Sequence, residues 1–433
     1  MNNVFGLIPA VRAAAIILAL SAMPWLKVLA AAQDVDNGDE KIDPGLALAE
    51  SDKFNWGVLV AVSKKAPDSL QFEVGEQKKT NNAVWETWAD DPFTFPAMPD
   101  PAKPPQWKDR NKGVSLEQIE QLNLRAAKFA PLIHEPQPQA IITGAGEVVF
   151  RNKSSFDFII KNQLFFTQGL AAAFRRGTNA SGFPSGVKVE FDLAAIELKA
   201  VYRPLDSKLT KQNCHWNVDR NGKEVGLVAL HIMTKQLPNW TWATFEWSGN
   251  TPDQRNGNPG RSDWYGSRDA FGAVYRDSVG QPTHFQPPGA NQNQPYISGS
   301  VTKELQEMFK DADNNDEWTA EWSNYRLKGS QIDFVDNSGE TTLVGNSVTE
   351  SGFVQTSSCI TCHGNASVDH AGSPNPSIGF TLDGQSRNGP LNPGWFLDLN
   401  SFDPSQEFGR YKTNYLPLDF VWAFFRARPS ASP

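Results

Sequence analysis

Cysteine is scarce in this sequence: three residues in 433, too few for the disulfide framework of a small secreted scaffold. Positive charge is also short. Forty Lys and Arg stand against 48 Asp and Glu, for a net charge of −8. No basic stripe exists to neutralise phosphates, which argues against nucleic acid as a partner. Long apolar runs are absent beyond the first thirty residues, so nothing later in the chain spans a bilayer. Tyrosine is sparse at 7, whereas Trp reaches 14 and Phe 27. An apolar share of 39% is enough for a sizeable core and excludes wholesale disorder. At ~150 residues per domain the length corresponds to roughly three domains' worth of chain, which one or two larger units can also hold.

The first 32 residues have the make-up of a targeting segment. Arg12 precedes an apolar run, Ala13 to Leu26, and small residues follow at Ala30 and Ala32. A charged start, a short apolar stretch and a small-x-small site predict a secretory signal peptide, cut before Gln33 or Ala31. The alternative, a membrane anchor, needs ~20 apolar residues, more than this run supplies. No cysteine stands at the cut to carry a lipid. Removing residues 1–32 takes away Arg12 and Lys27 and no acid, so the expected mature chain is more acidic still. Its expected location is periplasmic or secreted, with no membrane span after cleavage.

Residues 33–130 form an aromatic- and proline-rich N-terminal region, with a polar lead-in over 33–50. Phe54 to Val62 (FNWGVLVAV) reads as a buried strand, and Asp91 to Pro105 as irregular because of its prolines. Ser115 to Phe129 has helical spacing of Leu and Ile behind the start of a capping box. The region 131–433 turns β-rich. Val148 and Phe150 lead into Phe156–Phe166, read as a strand running into a short helix. Val187 to Arg203 alternates as a half-buried strand, and Val225–Met233 and Trp240–Trp247 read as its antiparallel neighbours. Gly249 to Gly299 is a long Asn-, Gln-, Gly- and Pro-rich insertion, a candidate lid over the functional site carrying Trp264, Tyr265, Phe271 and Tyr275. Lys303 to Phe309 reads as a helix with Leu305, Met308 and Phe309 inward.

The most specific signal is Ser357-Ser358-Cys359-Ile360-Thr361-Cys362-His363-Gly364. Two thiols three residues apart, followed at once by histidine, form the attachment motif for haem c. The thiols reach two vinyl groups on one porphyrin edge, and the adjacent imidazole meets the iron as proximal ligand. A helical turn achieves this, and Ser347 with Glu350 offers a capping box to begin one. A thioredoxin-like pair would not require the histidine, and a zinc site would need two more ligands where only His370 is near. Haem attachment also follows export, in agreement with the signal peptide. The expectation is one covalent haem c on Cys359 and Cys362, with His363 as iron ligand.

For the distal side the candidates are His231, Met233 and Met308. Met308 lies on an apolar helix face that suits a core role, and His231 and Met233 share one strand face. Met98, His134, His215, His284 and His370 complete the supply of ligating side chains in the mature chain, and an open iron is the alternative. Cys214 reads as a small buried hydrophobe.

Several stretches resemble a family of large exported bacterial mono-haem proteins of the cytochrome c family. They are Val84-Trp85-Glu86-Thr87-Trp88, Ile196 to Ala200, Leu230-His231-Ile232, Trp240 to Glu246, Gly345-Asn346-Ser347, Ser357 to Cys359 and Pro417 to Trp422. A weaker similarity joins Phe183 to Lys188, Asn239 to Trp242 and the late haem motif to the β-sheet c-type cytochromes, the cytochrome c′-β group. That resemblance implies an α+β fold: an antiparallel, β-sheet-rich domain with a C-terminal CxxCH helix and long loops, distinct from the all-α fold of small cytochromes c. No residue matches the lysine cross-link of that group's hydroxylamine-oxidising relatives. The leading functional expectation is electron transfer with a redox partner protein. The alternative is a haem enzyme or small-ligand binder, favoured by the size of the chain. A structural or carbohydrate-associated role for the aromatic N-terminal region ranks third.

Overall fold

The computed structural model describes residues 44–75, 78–110, 113–118, 146–250, 267–276, 282–283, 285–286, 300–312, 320–346, 348–350, 357–375 and 388–430. The signal peptide, residues 119–129 of the predicted helix, His134, His284, Trp264 and Tyr265 lie outside these residues.

The helices are α1 (Pro44–Ala49), α2 (Ser51–Val62), α3 (Lys153–Lys161), α4 (Thr167–Gly177), α5 (Lys303–Ala312) and α6 (Cys359–Gly364). The principal strands are β1 (Ala89–Asp90), β2 (Glu117–Gln118), β3 (Gly146–Arg151), β4 (Ile196–Pro204), β5 (Trp216–Val218), β6 (Glu224–Thr234), β7 (Thr241–Trp247) and β8 (Tyr325–Gln331). Shorter strands near the C-terminus are β9 (Ser367–Val368), β10 (Leu397–Asp398), β11 (Lys412–Thr413) and β12 (Leu416–Pro417). The fold is mixed α+β with antiparallel strands. Its central sheet has the order β8-β7-β6-β4-β3-β1, with β2 added to β3 and β5 to β6.

The rich supply of β-branched and aromatic residues in β4, β6 and β7 explains why these strands form the middle. β6 and β7 pair as expected, with Met233 opposite Trp242 and His231 opposite Thr244. Both faces of the sheet are covered, so β7 is buried along its whole length. Alternation therefore sorts side chains between two cores rather than between core and water. Phe245 meets Trp56 of α2 at 4.9 Å between ring centroids. Trp242, three residues earlier and hence on the other face, packs on His363 of α6 at 4.6 Å. The α2 side also carries α5, and the α6 side carries α3 and α4.

Several sequence expectations are corrected. Residues 54–62 are helical, not a strand, and every one of them is buried. An apolar run enclosed on all sides has no polar face to reveal its period. The lead-in includes the helical residues of α1. Val84 to Thr87 forms a 3₁₀ turn, and the proline-rich stretch begins with one helical turn, Asp91–Thr94, capped by Asp90. Glu117 and Gln118 join the sheet instead of starting a helix. After β3 the chain turns directly into α3, capped by the Asn152 side chain. The strand predicted over Val187–Arg203 begins only at Ile196. Its second face is covered too, with Glu197 buried at 5% exposure. The α5 helix and its inward Leu305, Met308 and Phe309 are as expected.

The α2-side core encloses a polar knot. His215 Nε2 lies 3.0 Å from Glu86 Oε2, and its Nδ1 lies 3.3 Å from Glu321 Oε2. The imidazole stacks on Trp322 at 4.7 Å, and Tyr202 donates its hydroxyl to Glu86. Burial alone would push the imidazole pKa down, but Glu86 and Glu321 outweigh it and raise it to about 9. The knot therefore holds an imidazolium at neutral pH.

Candidate functional site

Helix α6 is a single turn and a half whose six residues divide cleanly. Ile360, Thr361 and Gly364 are buried, whereas Cys359, Cys362 and His363 are only half-buried. The turn is fixed at both ends. The Ser358 hydroxyl accepts from the Thr361 amide and is the cap. Gln331 of β8 accepts from the Ile360 amide at 3.0 Å and donates to Ser358 Oγ at 2.9 Å. The Thr361 hydroxyl donates to the Gly389 carbonyl at 2.6 Å. Gly364 packs closely, since a Cβ there would stand 2.8 Å from the Leu391 side chain, which would have to shift. Ser347, the expected cap, lies outside the described residues, and its neighbours show a cap at Asn346. Asn346 accepts from the Val348 and Thr349 amides, and the Glu350 carboxylate accepts from the Asn346 amide. The motif helix starts at its own cap, Ser358.

Neither Cys359 nor Cys362 is in a disulfide. The Cys359 thiol donates to the Val344 carbonyl at 3.3 Å, and Trp422 Nε1 donates to the Cys362 carbonyl at 3.0 Å. Burial, reinforced by the nearby Glu350 charge, raises both thiol pKa values, that of Cys362 to about 11. The thiols are therefore protonated at neutral pH. His363 faces the opposite shift: burial lowers its pKa to about 4. Its Nδ1 is 2.9 Å from the Phe420 carbonyl, an acceptor only, so Nδ1 carries the proton and donates. The Nε2 lone pair is left available as a ligand.

No protein-family model, curated protein or solved structure matches the chain. The site is therefore read on its own chemistry.

The wall behind α6 is the sheet face of Trp242, Thr244, His231, Met233, Glu197 and Lys199. His231 Nδ1 lies 2.9 Å from Thr244 Oγ1, and its buried Nε2 approaches Glu350 Oε1 at 3.2 Å without an aligned hydrogen bond. Burial pulls the Glu350 carboxyl upward, but His231 and Lys199 outweigh it and hold it below the ordinary range. Lys199 is paired with Glu147 at 3.0 Å. Met233 lies in register between Glu197 and Trp242 and packs in the same core as Ile360. Met308 is elsewhere. It packs in the α2-side core, with its methyl group 3.8 Å from where a Cβ on Gly57 would stand. His370 is exposed beside Phe174, His215 lies in the polar knot, and Met98 is 88% exposed. Cys214 is buried and donates to the Thr210 carbonyl.

The lid expectation fails for the described part of the insertion. Asp269 accepts from Trp56 Nε1 at 3.0 Å, and Phe271 packs against the α2-side core. Both are behind the sheet from His363. Among the described residues no group of three or more His, Cys, Asp or Glu is arranged to hold a metal ion, and no helix is long and apolar enough to cross a membrane. Sequence reasoning missed the Phe420 carbonyl, Trp242, Trp422 and Glu350 as parts of the site. Pro417–Trp422 drew attention only as a stretch of resemblance.

Proposed function

We propose that the chain is an exported mono-haem c-type cytochrome, periplasmic or secreted, that transfers electrons to or from a redox partner protein. Cys359 and Cys362 would hold the haem covalently, and His363 would ligate its iron. The observation that carries this reading is the division of α6. The three residues the attachment motif requires are the three left accessible, on a turn otherwise locked into the core. The donor set fits as well, with two reduced cysteines one turn apart and an imidazole whose Nδ1 donates to the Phe420 carbonyl. When bound, the haem supplies a one-electron redox couple; the protein supplies ligand orientation and a buried setting. The resemblance to exported mono-haem cytochromes points the same way.

The test is covalent retention. Denatured protein should keep its haem and stain for peroxidase activity on a gel, and Cys359→Ala with Cys362→Ala should abolish the stain. Haem extracted by acid acetone from the unaltered protein would refute the proposal.

A second reading, an open iron that binds a small ligand or performs catalysis, is favoured by one observation. Of the distal candidates, His231 is held beside Thr244 and Glu350, and Met308 is behind the sheet. This reading expects a five-coordinate, high-spin ferrous spectrum that shifts with carbon monoxide and is unaltered in His231→Gln. A six-coordinate spectrum that changes in His231→Gln would exclude it.

A further inference from the structure

His363 takes its orientation from a backbone carbonyl in an unusual place. Asp419 and Phe420 are consecutive non-glycine residues in the left-handed region, with φ of 49° and 70°. Such conformations are costly for bulky residues and persist only where the surroundings impose them. The surroundings here are identifiable. Asp419 Oδ1 lies 2.6 Å from Lys235 Nζ, and its Oδ2 accepts from the Phe191 amide at 2.7 Å. The two charged side chains are 3% and 7% exposed. Lys235 also donates to the Pro238 carbonyl at 3.1 Å. One residue before the strained pair, the Leu418 amide donates to the Ala366 carbonyl just beyond α6.

A buried ion pair is a weak way to stabilise a fold, because desolvation offsets most of the attraction. It is a good way to specify one geometry. Lys235 comes from the turn between β6 and β7, and that turn also accepts the Trp242 indole N–H at the Asn239 carbonyl. The same turn therefore bears on His363 twice, through the Trp242 ring and through Lys235, Asp419 and the Phe420 carbonyl.

We infer that Asp419, clamped by Lys235, is a positioning residue for the iron-binding imidazole: it imposes the strained turn that aims the Phe420 carbonyl at His363 Nδ1. The inference rests on the haem reading above for its consequence, since an Nδ1–H donated to a well-aimed acceptor makes the histidine a stronger donor to iron. It does not rest on that reading for the geometry. Asp419 touches no reacting atom and acts through the backbone.

The experiment has two arms, each using Asp419→Asn, which preserves shape, and Lys235→Met, which preserves length and leaves the Phe191 amide bond to Asp419 in place. In the haem-free chain carrying Cys359→Ala and Cys362→Ala, ¹⁵N shifts of the His363 ring report its tautomer. The parent should be the Nδ1–H form, and either variant should shift toward a mixture. In the haem-loaded protein, either variant should retain covalent haem, move the midpoint potential upward and lower the iron–histidine stretching frequency seen after photolysis of the carbon monoxide adduct. Should one variant fail to fold, the other carries both arms. An unchanged tautomer in a folded variant overturns the inference, as do an unchanged potential and stretch. Absence of covalent haem in the parent would refute the proposed function instead, and the tautomer arm would still decide the role of Asp419.

Discussion

His215 makes a quantitative prediction about stability and pH. Its imidazolium is buried between Glu86 and Glu321, and the folded pKa is about 9 against an ordinary 6.5. Between those values the folded state holds a proton that the unfolded chain has released. Stability then falls as pH rises, by about 1.4 kcal/mol per pH unit. Below pH 6.5 the contribution is fully present, and above pH 9 it is gone. Across the window from 6.5 to about 9, the expected loss is on the order of 3 kcal/mol. Burial pushes the Cys214 thiol to about 12, and the Tyr202 hydroxyl stays well above 10. Asp269, raised by burial to about 6, titrates below the window.

The assay is urea unfolding followed by Trp fluorescence at half-unit steps from pH 6 to 9.5, for the parent and His215→Gln. The variant should be less stable at pH 7 by ~3–5 kcal/mol, because a buried carboxylate loses its partner. It should also be nearly flat over the window where the parent declines. A parent curve flat from pH 7 to 9.5 would refute the reasoning, as would the same slope in His215→Gln. Either outcome would mean that the knot is neutral at pH 7.

Trp56→Ala should cost ~3–5 kcal/mol in the same unfolding assay, since the indole packs on Phe245 and Phe309 and donates to Asp269; a loss under ~1 kcal/mol would contradict its placement in the core. Phe271→Ala should lower stability while leaving carbon monoxide binding to the haem-loaded protein unchanged, because Phe271 packs behind the sheet; faster binding would restore the lid. Mass spectrometry of protein recovered after export should give an N-terminus at Gln33 or Ala31, and a chain still beginning at Met1 would remove the signal-peptide reading.

What the sequence disclosed follows from how local each signal is. β6 and β7 were legible because their β-branched and aromatic content matches a pleated surface without help from distant residues. The α2 helix was not, since enclosure between the sheet, α5 and the Asp269 segment removes the polar stripe that marks a helix. Val189 and Phe191 alternate like strand residues, yet the latter's backbone is claimed by Asp419 from 228 positions away. The Cys359–Gly364 turn is contiguous, so its spacing and its residue types are read directly. Its supports are not. A backbone acceptor such as the Phe420 carbonyl has no residue type to announce it, and Gln331, Glu350 and Asp419 acquire their roles only by folding.

The sheet also bears on what stands opposite His363. For His231 to become a ligand through Nε2, it would have to give up its approach to Glu350, while Nδ1 could keep Thr244. Glu350 would then keep Lys199 as its remaining cationic neighbour, and Lys199 is already paired with Glu147. Leaving a buried carboxylate under-compensated costs ~3–5 kcal/mol, which any new bond must exceed before a ligand switch is favourable. Met233 meets no such obstacle. Its thioether has no polar partner to surrender, and its flexible side chain repacks at small cost. It stands in register with Trp242, which touches His363. Among the described residues the choice on this face is therefore between Met233 and an open position. A polar wall of Lys199, Glu350 and His231, with the His231 Nε2 lacking an aligned hydrogen bond, has more to offer a small polar ligand than a low-dielectric electron carrier requires.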